Sequence, residues 1–284
     1  MSNGYKNPDI LASEFYNKNS KLQTRIDFWN TFGTNSNSYG EVLKKIISGN
    51  YMNMIDIGCG NAQYSSRWLK YIKETATFLD ISENMIKCAR KNAKINNEKN
   101  IPIFLGKGSF DNTELANGTY DLVVAMHVLQ HIDDVEQALK KIKAITSPKG
   151  TILITTYGYT LDDWLNRKHY ELLEVLRFPR RMLSTKKYLS FSGSNAVRAV
   201  KKEFSEVELF TYNNDAEVSD IDSIMSYYTS SMMYRMSEGH LSTDIPAYKW
   251  EKLESKMRVA VEEELRVSGV IRVKGRVLIF RIIK

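Results

Sequence analysis

Cysteine is nearly absent: of 284 residues only Cys59 and Cys88 carry thiols, far apart in the chain. That scarcity excludes a disulfide framework and argues against a zinc site, and it suits a reducing cytoplasm. Proline is also sparse, five residues scattered along the chain, so no proline-rich linker divides it into independent domains. No apolar run approaches the roughly 18 to 20 residues that a membrane helix needs. The opening "MSNGYKNPDILASEF" lacks the apolar centre of a signal peptide. Neither a membrane partner nor export is expected.

What is present is the composition of an ordinary globular protein, 43% hydrophobic and 26% charged residues. The net charge of +7 would suit a polyanion. The excess is thinly spread, with only short basic clusters at 177–181 and 184–187, and a solvated lysine-rich surface is the commoner cause. A nucleic-acid partner is therefore not expected.

Residues 1–50 carry helical periodicity through "ILASEFYNKNSKLQTRIDFWNTF" and read as a cap or lid. From residue 51 the pattern alternates. Strands are expected at "NMIDIG", "TATFLDI", "IPIFLGK", "YDLVVAM" and, after the turn "SPKG", "TILITTY"; helices at "AQYSSRWLKYI", "ENMIKCARKNAKIN" and "DVEQALKKIKAIT". Such alternation builds a parallel α/β sheet. Residues 158–200 are longer than one connecting helix requires and read as an insertion. Further on, "EVELFTYNN" and "GRVLIFRIIK" read as late strands, separated by helices at 219–236 and 246–268. The domain from 51 to 284 thus carries substrate-binding insertions at about 158–200 and 214–268.

The stretch "NMIDIGCGNAQY" runs from a strand into two glycines spaced one apart, which brings bare backbone against a ligand. A dinucleotide site would put a third glycine near position 62, beneath a pyrophosphate; Ala62 stands there instead. Asp56, at the carboxyl end of the strand, repels phosphate and suits a cationic ligand. Asp80 ends the next strand, where a carboxylate accepts hydrogen bonds from both hydroxyls of a ribose. The ligand is read as a positively charged nucleoside.

In "DIGCGNA", "LDISENMIKCAR", "YDLVVAMHVLQHIDD" and "GTILITTYG", residues 50–158 resemble the class I S-adenosylmethionine-dependent methyltransferases. The resemblance implies a Rossmann-like α/β fold with a seven-stranded, mostly parallel sheet and a helical cap, an antiparallel finish, and S-adenosylmethionine as cofactor. It implies that Gly58 and Gly60 pass the methionine and ribose, that Asp56 lies near the cofactor's amino group and that Asp80 holds the ribose. Ile81 would line one face of the adenine, and Met85 either approaches the ring or is buried in the core. Where the family often has an acid after the third strand, this chain has Ser109. Its hydroxyl or backbone, with Phe110 against the ring, or else Asp111, would take over adenine recognition. From the lid, Tyr16 or Arg25 would meet the methionine carboxylate.

Ligands of open α/β sheets lie at the carboxyl ends of the strands, which selects residues from Ala125 to His131 and from Tyr157 to Trp164 for the acceptor. His127 and His131 are candidate bases, His131 alternatively orienting a loop. Asp162 and Asp163, among Tyr157, Tyr159, Trp164 and Tyr170, suit a cationic amine held over ring faces, or else they cap a helix beginning at Trp164. Trp29 on the lid joins this acceptor set. No metal is called for.

The expected activity is methyl transfer to nitrogen, less favourably oxygen, of a small molecule or short modified peptide by a monomer or homodimer. The chain loosely resembles natural-product N-methyltransferases, including those acting on plantazolicin-type azole peptides. The alternatives are an RNA methyltransferase, against which stands "AMHV" in place of an Asn/Asp-Pro-Pro-aromatic motif, and a non-catalytic cofactor-binding protein.

Overall fold

The computed structural model describes residues 19–158, 163–183, 191–231, 234, 236–237, 240–241 and 244–284. Tyr16, Tyr159, Asp162 and the basic cluster 184–187 lie outside the described residues.

The chain begins with α1 (Asn19–Phe32) and α2 (Tyr39–Ile46), the latter started by a capping box between Ser38 and Glu41. Then come β1 (Tyr51–Ile57), a 3-10 turn (Ser65–Tyr71), β2 (Ile72–Asp80), α3 (Glu83–Asn96), β3 (Ile103–Lys107) and β4 (Tyr120–Met126). They are followed by α4 (Val135–Ile145), β5 (Thr146–Tyr157), α5 (Trp164–Val175), α6 (Gly193–Glu203), β6 (Val207–Asn213) and β7 (Ala216–Val218). Last are α7 (Ile221–Ser230), the two-residue pair β8 (Met236–Ser237) and β9 (His240–Leu241), α8 (Ala247–Ser268), β10 (Ile271–Val273) and β11 (Arg276–Ile283).

Seven strands form one sheet in the order β3-β2-β1-β4-β5-β11-β6, all parallel except β11, which runs antiparallel to both its neighbours. The order reverses between β1 and β4, and the connections there leave a crevice at the carboxyl edge. Period-two alternation divides the sheet's side chains between two cores. Ile55, Ile57, Val123, Ala125, Ile152 and Ile154 face α4 and α6; Met54, Phe78, Leu122, Val124, Leu153 and Ile279 face α2, α3 and the 3-10 turn. Both faces being covered, β4 reads as a continuous apolar run.

A third core lies away from the sheet. Phe28 of α1, Leu172 and Leu173 of α5, Ile224 and Tyr228 of α7, and Leu253 and Met257 of α8 close on the small β7–β10 ribbon. This cap is assembled from three separated stretches of sequence. Its first helix is pinned to the sheet end: Asn214 Nδ2 donates to Trp29 O at 3.2 Å and Thr34 N to Asp215 O at 2.8 Å. A Cβ on Gly275 would lie 2.6 Å from the Trp29 ring, so only glycine permits that contact.

Four expectations change in detail. The helix read at "AQYSSRWLKYI" is only a seven-residue 3-10 turn, because Gly58, Gly60 and Ala62 all take positive φ and consume the start of the segment before β2 begins at Ile72. The turn "SPKG" is drawn into β5, with Lys149 at φ 63 and its N–H donating to Lys284 O at 2.9 Å. Residues 158–200, read as one insertion, divide between layers: α5 packs in the cap, whereas Ala196 and Val200 of α6 lie in the sheet core. Likewise α1 belongs to the cap, while Leu43 of α2 lies under the sheet.

Because the cap has its own apolar centre, Leu253→Ala should destabilise the protein by about 2–5 kcal/mol. Chemical denaturation followed by fluorescence of the cap tryptophans measures it.

Candidate active site

The crevice at the switch point opens into a cavity of about 820 Å³ roofed by α1 and the cap helices. That volume lies within the range of about 300–1,000 Å³ usual for small-molecule sites. Its floor is the turn after β1. Gly58 has φ +63, and a Cβ there would stand 2.3 Å from Val128 Cγ2, so this backbone must be bare to pass beneath the loop after β4. Gly60 has φ +55, with Leu22 of the lid above it. Ala62 has φ +53 and is buried, so the third turn position keeps a left-handed backbone without glycine.

Asp80 ties this turn to the next strand. Its Oδ2 accepts from Gly60 N and its Oδ1 from Ser82 N, both at 2.8 Å. Each oxygen retains acceptor capacity toward the cavity, which Asp80 and Ile81 line. Burial raises the Asp80 carboxyl above its ordinary range, while backbone donors from Ser82, Gly60 and Ile81 pull it back.

Asp56 departs from its expected place. It sits on the Met54 face of β1, fully buried under the 3-10 turn, where its Oδ2 accepts from Ser65 Oγ, and it does not line the cavity. Its Oδ1 has no partner, and burial pushes its carboxyl up to about 7 against the opposing effect of the Ser65 hydrogen bond. Period-two alternation explains the displacement: Ile55 and Ile57 take the opposite face.

The loop after β3 supplies Ser109, Phe110 and Asp111 to the cavity. Lys141, on α4, organises it. Its Nζ lies 4.6 Å from the Phe110 ring centroid and donates to the carbonyls of Phe110, of Asp111 at 3.2 Å and of Thr113 at 2.7 Å. Burial lowers the Lys141 pKa, with Asp111 acting the other way. No sequence motif marks Lys141; only the folded loop brings those carbonyls together.

Beyond β4 the wall is aromatic. His127 takes φ +51, lines the cavity and has its ring centroid 4.8 Å from that of Tyr157 and 6.3 Å from that of Tyr39. Tyr39 in turn meets Tyr64 and Tyr212, each at 5.3 Å. Burial, helped by the charge of His131, drives the His127 pKa down to about 4, so near neutral pH the ring is an uncharged, weak base. His131 also lines the cavity. The sequence reading missed Tyr39, Tyr64 and Tyr212, which come from three distant segments.

On the cap side, Arg25, Trp29, Asp163 and Tyr227 line the cavity. Asp163 caps α5, its Oδ1 accepting from Asn166 N at 2.8 Å and its Oδ2 from Asn166 Nδ2 at 2.7 Å, so the capping alternative holds for this residue while it still faces the cavity. Met85, Ala125, Trp164 and Tyr170 are not cavity residues. Met85 is held inside α3 and Ala125 lies in the sheet core, whereas Trp164 and Tyr170 pack onto the apolar centre of the cap. Their helical and strand periodicity turns them inward. Among the described residues no cluster of His, Cys, Asp or Glu could hold a metal, and no helix is long and apolar enough to cross a membrane.

Comparison with known proteins bears on the domain and the fold. Residues 55–154 match the family described as "Methyltransferase domain". The malonyl-[acyl-carrier protein] O-methyltransferase of Erwinia pyrifoliae is 26% identical over 51% of this chain and 48% of its own length. Norajmaline N-methyltransferase of Rauvolfia serpentina is 27% identical over 38% and 36%. The chain thus spans half or less of these relatives' length. Phosphoethanolamine N-methyltransferase 2 of Haemonchus contortus, solved with S-adenosyl-L-methionine, shares the fold with a TM-score of 0.54 at 14% identity, over 99% of this chain and 60% of that one. Residues 55–154 are thus similar to methyltransferases, and the chain takes a Rossmann-like methyltransferase fold.

The residues present fit the cofactor of that family. A bare turn beside a buried carboxylate with spare acceptors suits a cationic nucleoside and repels a phosphate. Gly58→Ala should lower affinity for S-adenosylmethionine by at least about tenfold in calorimetry, because its Cβ displaces Val128. Lys141→Met should also weaken that affinity, by about 3- to 10-fold, through loss of the hold on the loop carbonyls.

Asp56 carries a pH signature. Its folded pKa exceeds the unfolded one, so the stability of the unliganded protein should fall as pH rises from about 4 to 7 and level off above. In Asp56→Asn that decline should be reduced, a difference read from melting temperatures at pH 5 and pH 8.

Proposed function

We propose that this protein is an S-adenosylmethionine-dependent methyltransferase that methylates a nitrogen of a small molecule or short modified peptide in the cytoplasm. One observation carries the reading. A single cavity joins the Gly58–Gly60 turn and Asp80 to a wall of Tyr39, His127, Tyr157 and Tyr227 that ends in Asp163.

The cofactor supplies a methyl group on a sulfonium, an electrophile that an aligned lone pair displaces. The chain's role is then to hold, orient and exclude water. Asp80 holds the ribose hydroxyls, and the turn carries the amino-acid portion past Leu22. Phe110 and Ile81 bound the adenine, with the Ser109 hydroxyl or backbone as its polar contact. Arg25 and the lid close the cavity.

Nitrogen is favoured over oxygen on acid–base grounds. An alcohol must lose a proton to a competent base, and burial makes His127 a weak one and pushes the hydroxyls of Tyr39 and Tyr227 further up. A free amine already presents its lone pair. Aromatic faces and the Asp163 carboxylate would stabilise the cation formed on methylation. An N-methyltransferase stands among the sequence relatives, beside O-methyltransferases.

The test offers methyl-labelled S-adenosylmethionine with matched amines and alcohols of one carbon skeleton. Label on nitrogen is expected, at a rate that rises with pH as the amine deprotonates. Label confined to alcohol oxygen would overturn the choice of atom, and no transfer to any acceptor would overturn the activity.

A further inference from the structure

The cavity holds a cation that the reaction itself does not require. Arg25 is half-buried on the inner side of α1 and lines the cavity. Its Nη1 donates to Ser230 O at 2.5 Å, the last residue of α7, where the carbonyl end of the helix favours positive charge. A guanidinium has five N–H donors, and among the described residues no carboxylate pairs with this one. A cation withdrawn from water at such a site is costly until an anion meets it.

Its hydrogen bond ties it to the cap. Leu22, one helical turn earlier, is the lid residue over Gly60, whereas Arg25 is anchored to the cap through α7. Tyr227, also on α7, lines the same cavity. Asp163, which is 5% exposed, Arg25, Tyr157 and Tyr227 all line this one cavity.

We propose that the methyl acceptor is zwitterionic: an amine carrying an oxyanion, carboxylate or phosphate, on the same small molecule, with Arg25 gripping the oxyanion and Asp163 and the aromatic wall receiving the nitrogen. The proposal rests on the methyltransferase reading and narrows its substrate class. A planar fork of donors matches either oxyanion bidentately. A neutral-tailed amine would leave the half-buried guanidinium without an anion, so selectivity follows from the cost of rejecting the wrong ligand.

The experiment measures binding and turnover with three acceptors of similar size: an amino carboxylic acid, a phosphorylated amino alcohol and an alkylamine. Each is titrated calorimetrically into the full chain saturated with S-adenosylhomocysteine, then assayed with labelled S-adenosylmethionine. At least one oxyanion-bearing amine should bind and react about 30-fold better than the alkylamine, and which one does so identifies the anion. Arg25→Gln should raise its KM by about that factor with a much smaller change in kcat and no change in S-adenosylmethionine affinity, and Arg25→Lys should recover some of the loss. Equal use of the alkylamine overturns the inference and leaves the methyltransferase reading intact. A tenfold loss of S-adenosylmethionine affinity in Arg25→Gln with acceptor KM unchanged also overturns it, by assigning Arg25 to the cofactor's carboxylate. Binding and transfer with none of the three overturns both.

Discussion

The two hydrogen bonds that Asp80 accepts, one from Gly60 and one from Ser82, hold the site together. They join the end of β1 to the end of β2 across the sheet and keep the glycine turn in its left-handed path. A charge-assisted bond between a buried carboxylate and a backbone N–H is stronger than a neutral one. Asp80 also lines the cavity, so the residue that stabilises the turn is placed to offer acceptors to a ligand. The Cys59 N–H, donating to Leu79 O at 3.0 Å, adds a backbone tie beside the approach of Gly58 to Val128.

Around that anchor the molecule separates two tasks. The sheet and its two cores form a rigid edge for the cofactor, while a third core in the cap shapes the far end of the cavity. The cap is not a domain in sequence, since α1, α5 and the stretch from β7 to β10 are far apart. It is fastened at Asn214 and Gly275, where Trp29 lies against backbone with no room for a side chain. That fastening puts Trp29 and Arg25 at set positions over the cavity, so the cap's packing fixes the shape of that end.

The alternation of strands and helices made the fold legible, because parallel strands buried on both faces read as apolar runs and the late antiparallel strands are rich in β-branched residues. Gly58, Gly60 and Asp80 were legible for a local reason: turn, glycine and carboxylate are neighbours in the chain or end consecutive strands. Asp56 misled, because a one-residue difference in a strand reverses the face and its carboxylate goes under the 3-10 turn. Trp164 and Tyr170 misled, and Met85 stayed undecided between ring and core until the fold buried it, because an apolar or aromatic residue beside a motif looks the same in sequence whether it lines a cavity or fills a core. Tyr39, Tyr64, Tyr212, Tyr227 and Lys141 were invisible, since each acts only with partners brought from distant segments.

The central claim is that the crevice is built for a cationic nucleoside and not for a diphosphate. Calorimetric titration of the unliganded protein with S-adenosylmethionine and, separately, with a nicotinamide dinucleotide tests it most directly. Saturation of one site by the sulfonium nucleoside, with no heat from the dinucleotide, is the expected result. Binding of the dinucleotide, or silence toward S-adenosylmethionine, would contradict the account.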